Sequence, residues 1–214
     1  MKGVTISAGY GTGGSVIAPA VANRLGLPLL DRAISSDVAQ KLHVTVTEAQ
    51  SGALKRSLVG RFFDVLAPLA GGVLGAGTDA APPEAAVAPD AAEPFREQAE
   101  LIMRHALENG AVILGRGGAA AFRTEPDILR VRLFGPLHAR VAHACRIQDV
   151  DEATARRLLP EVDHARAQYV RRLYSTDIDD PALYTLQLDS TALHVDACVD
   201  LIVTAYDGLV RSLG

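Results

Sequence analysis

A glycine-rich segment near the start of the chain has the composition of a phosphate-binding loop. The segment reads AGYGTGGS from Ala8 to Ser15. In the pattern G-x-x-x-x-G-K-[ST], main-chain amides at a helix N-terminus converge on phosphate oxygens. Gly13 and Ser15 fit this pattern, whereas Ala8 replaces the first glycine and Gly14 replaces the lysine. The segment predicts phosphate binding by main-chain amides, and a tight strand-to-helix turn without a ligand is the alternative.

The missing lysine removes a positive charge that phosphate chemistry uses. A charge-assisted hydrogen bond contributes about 1.5–3 kcal/mol, so an active site would need arginines from elsewhere. The densest basic stretch, 156–172, contains Asp163 and Arg166 in a D-x-x-R arrangement on one helical face. We predict that Arg166 contacts a transferred phosphate and that Arg157 is the second candidate, with Arg140 assisting from another helix. A solvated, ion-paired helix face is the alternative interpretation.

The elements around the glycine segment predict a parallel α/β sheet. A β-branched run, Val4–Ile6, precedes the glycines, and a helix is predicted over Ser15–Leu25 with Gly26 as its stop. A second apolar run, Leu27–Leu30, ends at Asp31. Strand, glycine loop, helix and strand in this order begin a parallel sheet with crossover helices.

Three further apolar runs predict the remaining strands, over Ala111–Leu114, Leu129–Phe134 and Thr185–Leu188. Asp151 is a typical helix N-cap, and Pro160 suits the first turn of a separate helix that ends near Tyr174. Helices are also predicted between the strands and at the C-terminal end of the chain.

A long insertion separates the second strand from the third. Residues 32–77 are predicted to be helical, and residues 78–94 contain four prolines without an apolar period, which predicts a mobile surface loop. Phe62–Gly77 is the most apolar part of the chain, but Asp64, Pro68 and paired glycines interrupt it. It falls short of a membrane span of about 20 apolar residues.

Length and charge restrict the classes of function. The 214 residues suit one domain rather than two. A net charge of -4 and a pI near 5.8 argue against general binding to nucleic acid or an anionic membrane. Cys145 and Cys198 form no C-x-x-C motif and are expected to be reduced core thiols. We expect a cytoplasmic protein.

Six segments, taken in order, resemble the cytidylate kinase-like family, which is related to the bacterial cytidylate kinases. They are VTISAGYGTGGSVIA, LPLLDRAI, VILGRGGAAAF, LRVRLFGPLHARV, VDHARAQYVRRLYSTDIDDPALY and LQLDSTALHVDACVDLIV. The family's loop is similar to Y-G-S-G-G-R-E-I-A and also lacks the lysine. The resemblance implies a three-layer P-loop kinase fold with a five-stranded parallel sheet in the order 2-3-1-4-5. It also implies one domain, 1–214, with a helical acceptor-side subdomain at 32–94 and an arginine-rich lid at 149–175.

The resemblance also implies which residues bind substrates. The loop residues would hold the donor phosphates, and they are Gly11, Thr12, Gly13, Gly14 and Ser15, with Ser15 also on Mg²⁺. Asp31 and Arg116 would contact the acceptor, and Asp163 is also expected to bind substrate. Bacterial cytidylate kinases have G-R-D where this chain has Gly115-Arg116-Gly117, so the base-reading aspartate is absent here. A helix N-cap is the alternative role of Asp31.

The implied activity is transfer of the γ-phosphate of ATP, with Mg²⁺, to a nucleoside monophosphate such as CMP. Two alternatives stay open. Gly117 favours a different small-molecule acceptor, and the absent lysine favours a nucleotide-binding module with weak catalysis. A homodimer formed through Phe62–Gly77 is a further expectation.

Overall fold

The centre of the molecule is a parallel sheet whose strand order is β2-β3-β1-β4-β5. The computed structural model describes residues 2–31 and 92–212. The strands are β1 (Gly3–Ala8), β2 (Leu29–Leu30), β3 (Ala111–Leu114), β4 (Ile128–Phe134) and β5 (Leu186–Asp189). Every recorded pairing between them is parallel. The predicted sheet and its order are therefore confirmed. The predicted helical stretch 32–77, its dimer patch at 62–77 and residues 78–91 of the predicted mobile loop lie outside the described residues.

Helices cover both faces of this sheet. They are α1 (Gly14–Leu25), α2 (Ala92–Glu108), α3 (Gly118–Ala121), α4 (Leu137–Gln148), α5 (Glu152–Tyr174) and α6 (Val195–Ser212), and a 3₁₀ turn spans Pro181–Leu183. Gly26 ends α1, as predicted, and it does so in the left-handed conformation. Residues 92–94, which composition placed in the loop, belong to α2, because Pro94 suits the first turn of a helix. Within the described residues, no helix is long and apolar enough to cross a membrane.

Successive side chains along each strand point to opposite faces of the sheet, so the core has one layer on each face. Val4 and Ile6 of β1 point to the side of the sheet where α1 and α6 pack, and Ile17 and Ile202 are fully buried there. On the opposite side, α2 packs on β3, and Ile113 is buried among the side chains of that layer. Burial on both sides fixes the register of β1 and therefore the place where its glycine loop begins.

Helix α5 is continuous, although the sequence predicted two helices that divide at Pro160. Asp151 caps its N-terminus as predicted, because its carboxylate accepts a hydrogen bond from the Thr154 amide at 2.8 Å. A proline inside a helix costs about 3 kcal/mol. Leu159 and Val162, on either side of the proline, are buried in a cluster that also contains Tyr10 and Val141. This packing offsets the cost, so that one helix carries the whole basic stretch.

Candidate active site

The loop between β1 and α1 is anchored through four consecutive carbonyl groups. The carbonyl oxygens of Gly9, Tyr10, Gly11 and Thr12 contact, in that order, the Thr12 hydroxyl at 2.8 Å, Arg140 Nε at 2.8 Å, His143 Nδ1 at 2.9 Å and the Ser190 hydroxyl at 2.7 Å. In a trans peptide, the N–H of the next residue points the opposite way. The amides of Gly11 and Gly13 are therefore turned away from these anchors.

Those amides form a cradle whose geometry suits an anion. In the part of the chain that the structure describes, no hydrogen bond uses the amides of Gly11, Gly13, Gly14 or Ser15. They surround the N-terminus of α1, where the helix dipole also favours negative charge. Gly11 and Gly13 have φ angles of 73° and 76°. A Cβ on Gly11 would lie 2.3 Å from the Arg140 carbonyl oxygen, so only glycine allows this approach.

The lysine position is closed by the alanine that replaces the first glycine. A Cβ on Gly14 would lie 2.5 Å from the Cβ of Ala8. Ala8 is itself buried, so its methyl group has nowhere to move. The phosphate-binding pattern has a glycine at the position of Ala8 and a lysine at the position of Gly14. In this chain the first position carries the side chain and the second is glycine. The loss of the lysine and the presence of Ala8 are therefore sterically coupled.

A cationic cleft lies above the first residues of the loop. Its volume is about 90 Å³, and its lining consists of Gly9, Arg132, Arg140, Asp163, Arg166, Ile178 and Asp179. Three guanidinium groups and two carboxylates face this space, so the lining carries a positive excess. Of the three catalytic residues predicted from the sequence, Arg166 and Arg140 line the cleft and Arg157 does not.

Helix α5 is fastened to the loop by Asp163 and Arg166. Arg166 is 6% exposed, and its Nη1 donates to the Ala8 carbonyl oxygen at 2.8 Å. Asp163 accepts from the Tyr10 amide at 2.9 Å through Oδ1 and from Arg140 Nη2 at 2.5 Å through Oδ2. Because one oxygen of Asp163 binds a loop amide and the other binds an arginine of α4, this carboxylate connects α5, the loop and α4.

Arg157 lies on the outer surface of α5. Its side chain is 62% exposed and pairs with Glu161 at 3.3 Å, one turn away. Nine residues separate Arg157 from Arg166, which places them about 180° apart around a helix. Arg157 is therefore directed away from the cleft in this conformation, and its predicted contact with a phosphate stays a prediction.

Arg132 is a cleft residue that sequence reasoning did not single out. It lies on β4, where its Nη1 donates to the Ser7 hydroxyl at 2.9 Å and its Nη2 pairs with Asp179 at 2.6 Å. Its guanidinium carbon is 5.9 Å from the centroid of the Tyr184 ring, within cation–π range. Burial raises the pKa of the Tyr184 hydroxyl, which donates to the Ile178 carbonyl oxygen. Arg132 is one of two arginines, with Arg130, in the otherwise apolar strand β4, and this was the available signal.

The predicted acceptor residues meet at the ends of β2 and β3. Arg116 donates from Nε and Nη2 to the main-chain carbonyl of Asp31, at 3.0 and 2.8 Å. Arg116 has a φ of 56°, and the glycines on both sides of it are also left-handed. A non-glycine residue in this region costs energy and often marks a functional site. The structure brings Arg116 and Asp31 together through the backbone of Asp31.

Comparison with known proteins now decides the family. The sequence model of the cytidylate kinase-like family matches residues 3–192. The chain belongs to this family. The chain is also similar to a cytidylate kinase from Methanopyrus kandleri, with 30% identity over 118 residues that cover 50% of this chain and 61% of that protein. A cytidylate kinase from Methanoregula boonei is 30% identical over 101 residues, which cover 47% and 56% respectively. The chain thus spans about three fifths of the length of these relatives.

Solved structures agree with the family on the fold. An uncharacterized protein from Eubacterium ventriosum matches 97% of this chain and 98% of its own, with a TM-score of 0.62 and 17% identity. A gluconokinase from Sinorhizobium meliloti matches 99% of this chain and 95% of its own, with a TM-score of 0.52 and 11% identity. The fold is that of the P-loop kinases.

Gly117, which takes the place of the aspartate in the bacterial cytidylate kinases, is fixed as glycine by its surroundings. Its φ is +66°, and a Cβ there would lie 2.5 Å from Cε2 of the buried Tyr174. We expect Gly117→Asp to lower the free energy of unfolding by roughly 1–3 kcal/mol, because the ring must shift and the backbone is strained. Urea denaturation measures the change.

Gly26→Asp is the matched control for this substitution. Gly26 has nearly the same φ, +65°, but a Cβ there has no neighbour within 4 Å. The loss of stability in Gly26→Asp therefore measures only the cost of placing a side chain on a left-handed backbone. If Gly117→Asp costs no more than Gly26→Asp, then Tyr174 does not exclude a side chain at this position.

Proposed function

We propose that this family member is an ATP-dependent kinase that transfers the γ-phosphate of ATP to a nucleoside monophosphate such as CMP. The observation that carries the proposal is the cradle of main-chain amides beside a cleft lined by three arginines. Both features suit phosphate groups and neither depends on the absent lysine. The family and the P-loop kinase fold support phosphate transfer in general, and the acceptor is our inference.

The loop amides and the arginines both bind the donor nucleotide in this proposal. The amides of Gly11 to Ser15 bind phosphate oxygens, as peptide N–H groups at a helix N-terminus do. Bound Mg²⁺ supplies further positive charge to the phosphate oxygens, and Ser15, in the first turn of α1, is the residue that would hold it. Arg140 and Arg166 reach the main chain of the loop from two different helices. They supply the charge that the lysine provides in other loops.

Arg166 is best placed to act on the reaction itself. An oxygen of the acceptor phosphate attacks the γ-phosphorus, the bond from that phosphorus to the β–γ bridging oxygen breaks, and ADP leaves. Negative charge is spread over the peripheral oxygens of the transferred group. A buried guanidinium in fixed position stabilises such charge without reorganising. In this mechanism Asp163 is a positioning residue, since it holds Arg140 and the loop.

The acceptor is assigned to the side of the sheet where β2 and β3 end. Arg116 offers a guanidinium there, and the main chain of Asp31 orients it. Ligands of open parallel sheets bind outside the carboxyl ends of the strands. Gly117, with no carboxylate and no room for one, favours the second candidate, the same chemistry on a different small acceptor.

The proposal is tested by ADP release from ATP and Mg²⁺ by the purified protein. The acceptor panel is CMP, dCMP, UMP, AMP, GMP and a blank without acceptor. We expect release that depends on CMP or dCMP and exceeds the blank by at least ten-fold. Release with none of the acceptors, from protein that ATP stabilises thermally, would transfer the assignment to another acceptor or to a nucleotide-binding module.

A further inference from the structure

We propose that Arg132 is a third anion-binding residue of the cleft, and that Asp179 is a displaceable counter-ion which a substrate phosphate replaces. This inference rests on the proposed function and adds a residue to its site. The ligand group is a terminal phosphate dianion, either the γ-phosphate of the donor or the phosphate of the acceptor.

Arg132 is built as a fixed group. Its side chain is 13% exposed, and it is held by the Ser7 hydroxyl at the carboxyl end of β1 and by the face of Tyr184. Ser7 and Arg132 are direct partners in the register of β1 and β4. These contacts orient the guanidinium without consuming its Nη2, which faces Asp179. A positioned arginine with one exchangeable donor is suited to bind an anion.

Asp179 is a weakly held partner. Its side chain is 74% exposed, and it belongs to the segment that follows α5. The Asp179 amide donates to the Asp177 carboxylate at 3.0 Å, a local contact that does not depend on the position of the Asp179 side chain. An exposed carboxylate contributes little to an ion pair because water competes for it. A phosphate oxygen in the same place would accept the same hydrogen bond and bring more charge.

The second ion pair of the cleft is built differently. Asp163 is 31% exposed and binds both Arg140 and the Tyr10 amide. Releasing Asp163 would therefore undo the contact between α5 and the loop, whereas releasing Asp179 leaves that contact intact. Of these two lining pairs, the one between Arg132 and Asp179 is the one that a ligand can open at small cost.

Two variants test this exchange, because the proposal predicts that they change phosphate affinity in opposite directions. Arg132→Met removes the binding group, and we expect affinity for a terminal phosphate to fall about ten-fold. Asp179→Asn removes the competitor, and we expect affinity to rise about three-fold. If the pair were only structural, both variants would break the same contact and change affinity in the same direction.

Calorimetric titration of the full chain with inorganic pyrophosphate, ATP, ADP and CMP makes the measurement. A change for ATP without one for ADP assigns Arg132 to the γ-phosphate, and a change for CMP assigns it to the acceptor. Arg24→Met with Asp200→Asn breaks a comparable but exposed pair, at 2.9 Å, and serves as control. Thermal unfolding of each variant confirms that it is folded.

Three results would overturn the inference. The first is a change of affinity in the same direction in both variants, and the second is no change of affinity beyond that of the control. The third is wild-type protein that binds none of the four probes. Pyrophosphate binding needs no turnover, so the result is independent of the ADP-release assay. A chain that releases no ADP, but whose two variants change phosphate affinity in opposite directions, would contradict the proposed function and support the exchange at Arg132.

Discussion

Arg166→Met is expected to lower kcat about a hundred-fold while the protein stays folded. Removing one preorganised donor from a reacting anion costs about 10²–10³ in rate, and Arg166 is the most buried guanidinium that lines the cleft. Methionine retains the apolar stem, so the packing of α5 is largely kept. Steady-state ADP release at saturating ATP and acceptor measures the effect, with circular dichroism as the check of fold.

Arg156→Met is the matched control for this experiment. Arg156 is on the same helix, is 55% exposed and pairs only with Glu152 among the described contacts. Its replacement removes the same charge from α5 without touching the cleft, so the rate should stay within two-fold of wild type. A rate for Arg166→Met equal to that of the control would remove Arg166 from the mechanism.

Gly14→Lys is expected to lower the melting temperature, although it restores the lysine of the phosphate-binding pattern. The new Cβ would overlap the Ala8 methyl group. Overpacking in a buried site costs about 1–3 kcal/mol, which corresponds to a decrease of roughly 2–12 °C for a chain of this size. Adding Ala8→Gly removes the overlap, so the double variant should regain most of the loss.

A double-mutant cycle on thermal unfolding measures this coupling. Gly208→Lys, in α6, is the control, since a Cβ there meets nothing within 4 Å. Additive effects of Ala8→Gly and Gly14→Lys would show that the two positions are independent. A stable Gly14→Lys single variant would show that the loop absorbs the side chain by another route.

Individual helices and strands could be predicted because their signals are local, whereas the strand order was implied by the resemblance to the cytidylate kinase-like family. The β-branched run before the glycines, the stop at Gly26 and the unbroken apolar run Ala111–Leu114 each specify one element without reference to the rest of the chain. The predicted helix break at Pro160 is wrong because that prediction also used a local signal alone. A local rule cannot include the packing of Leu159 and Val162 against residues far away in sequence.

The site could be predicted only where one segment contains it. The glycine loop and Arg166 could be proposed from the sequence because spacing and charge density mark them. Arg132 was not singled out, because its ion-pair partner Asp179 is 47 residues away along the chain. The steric coupling of Ala8 and Gly14 also appears only in three dimensions, since β1 and α1 must first be fixed relative to each other.

The anchoring of four consecutive loop carbonyls has a consequence for the thermodynamics of binding. A flexible loop loses conformational entropy when it closes on a ligand, and that loss weakens affinity. Here α4, through Arg140 and His143, and Ser190, beside β5, immobilise the loop in advance. The ordering cost is met during folding, so each amide contact with a phosphate in the proposed function would contribute more fully to affinity. In the proposed function, the smaller entropy loss of a rigid loop would compensate for the charge of the absent lysine.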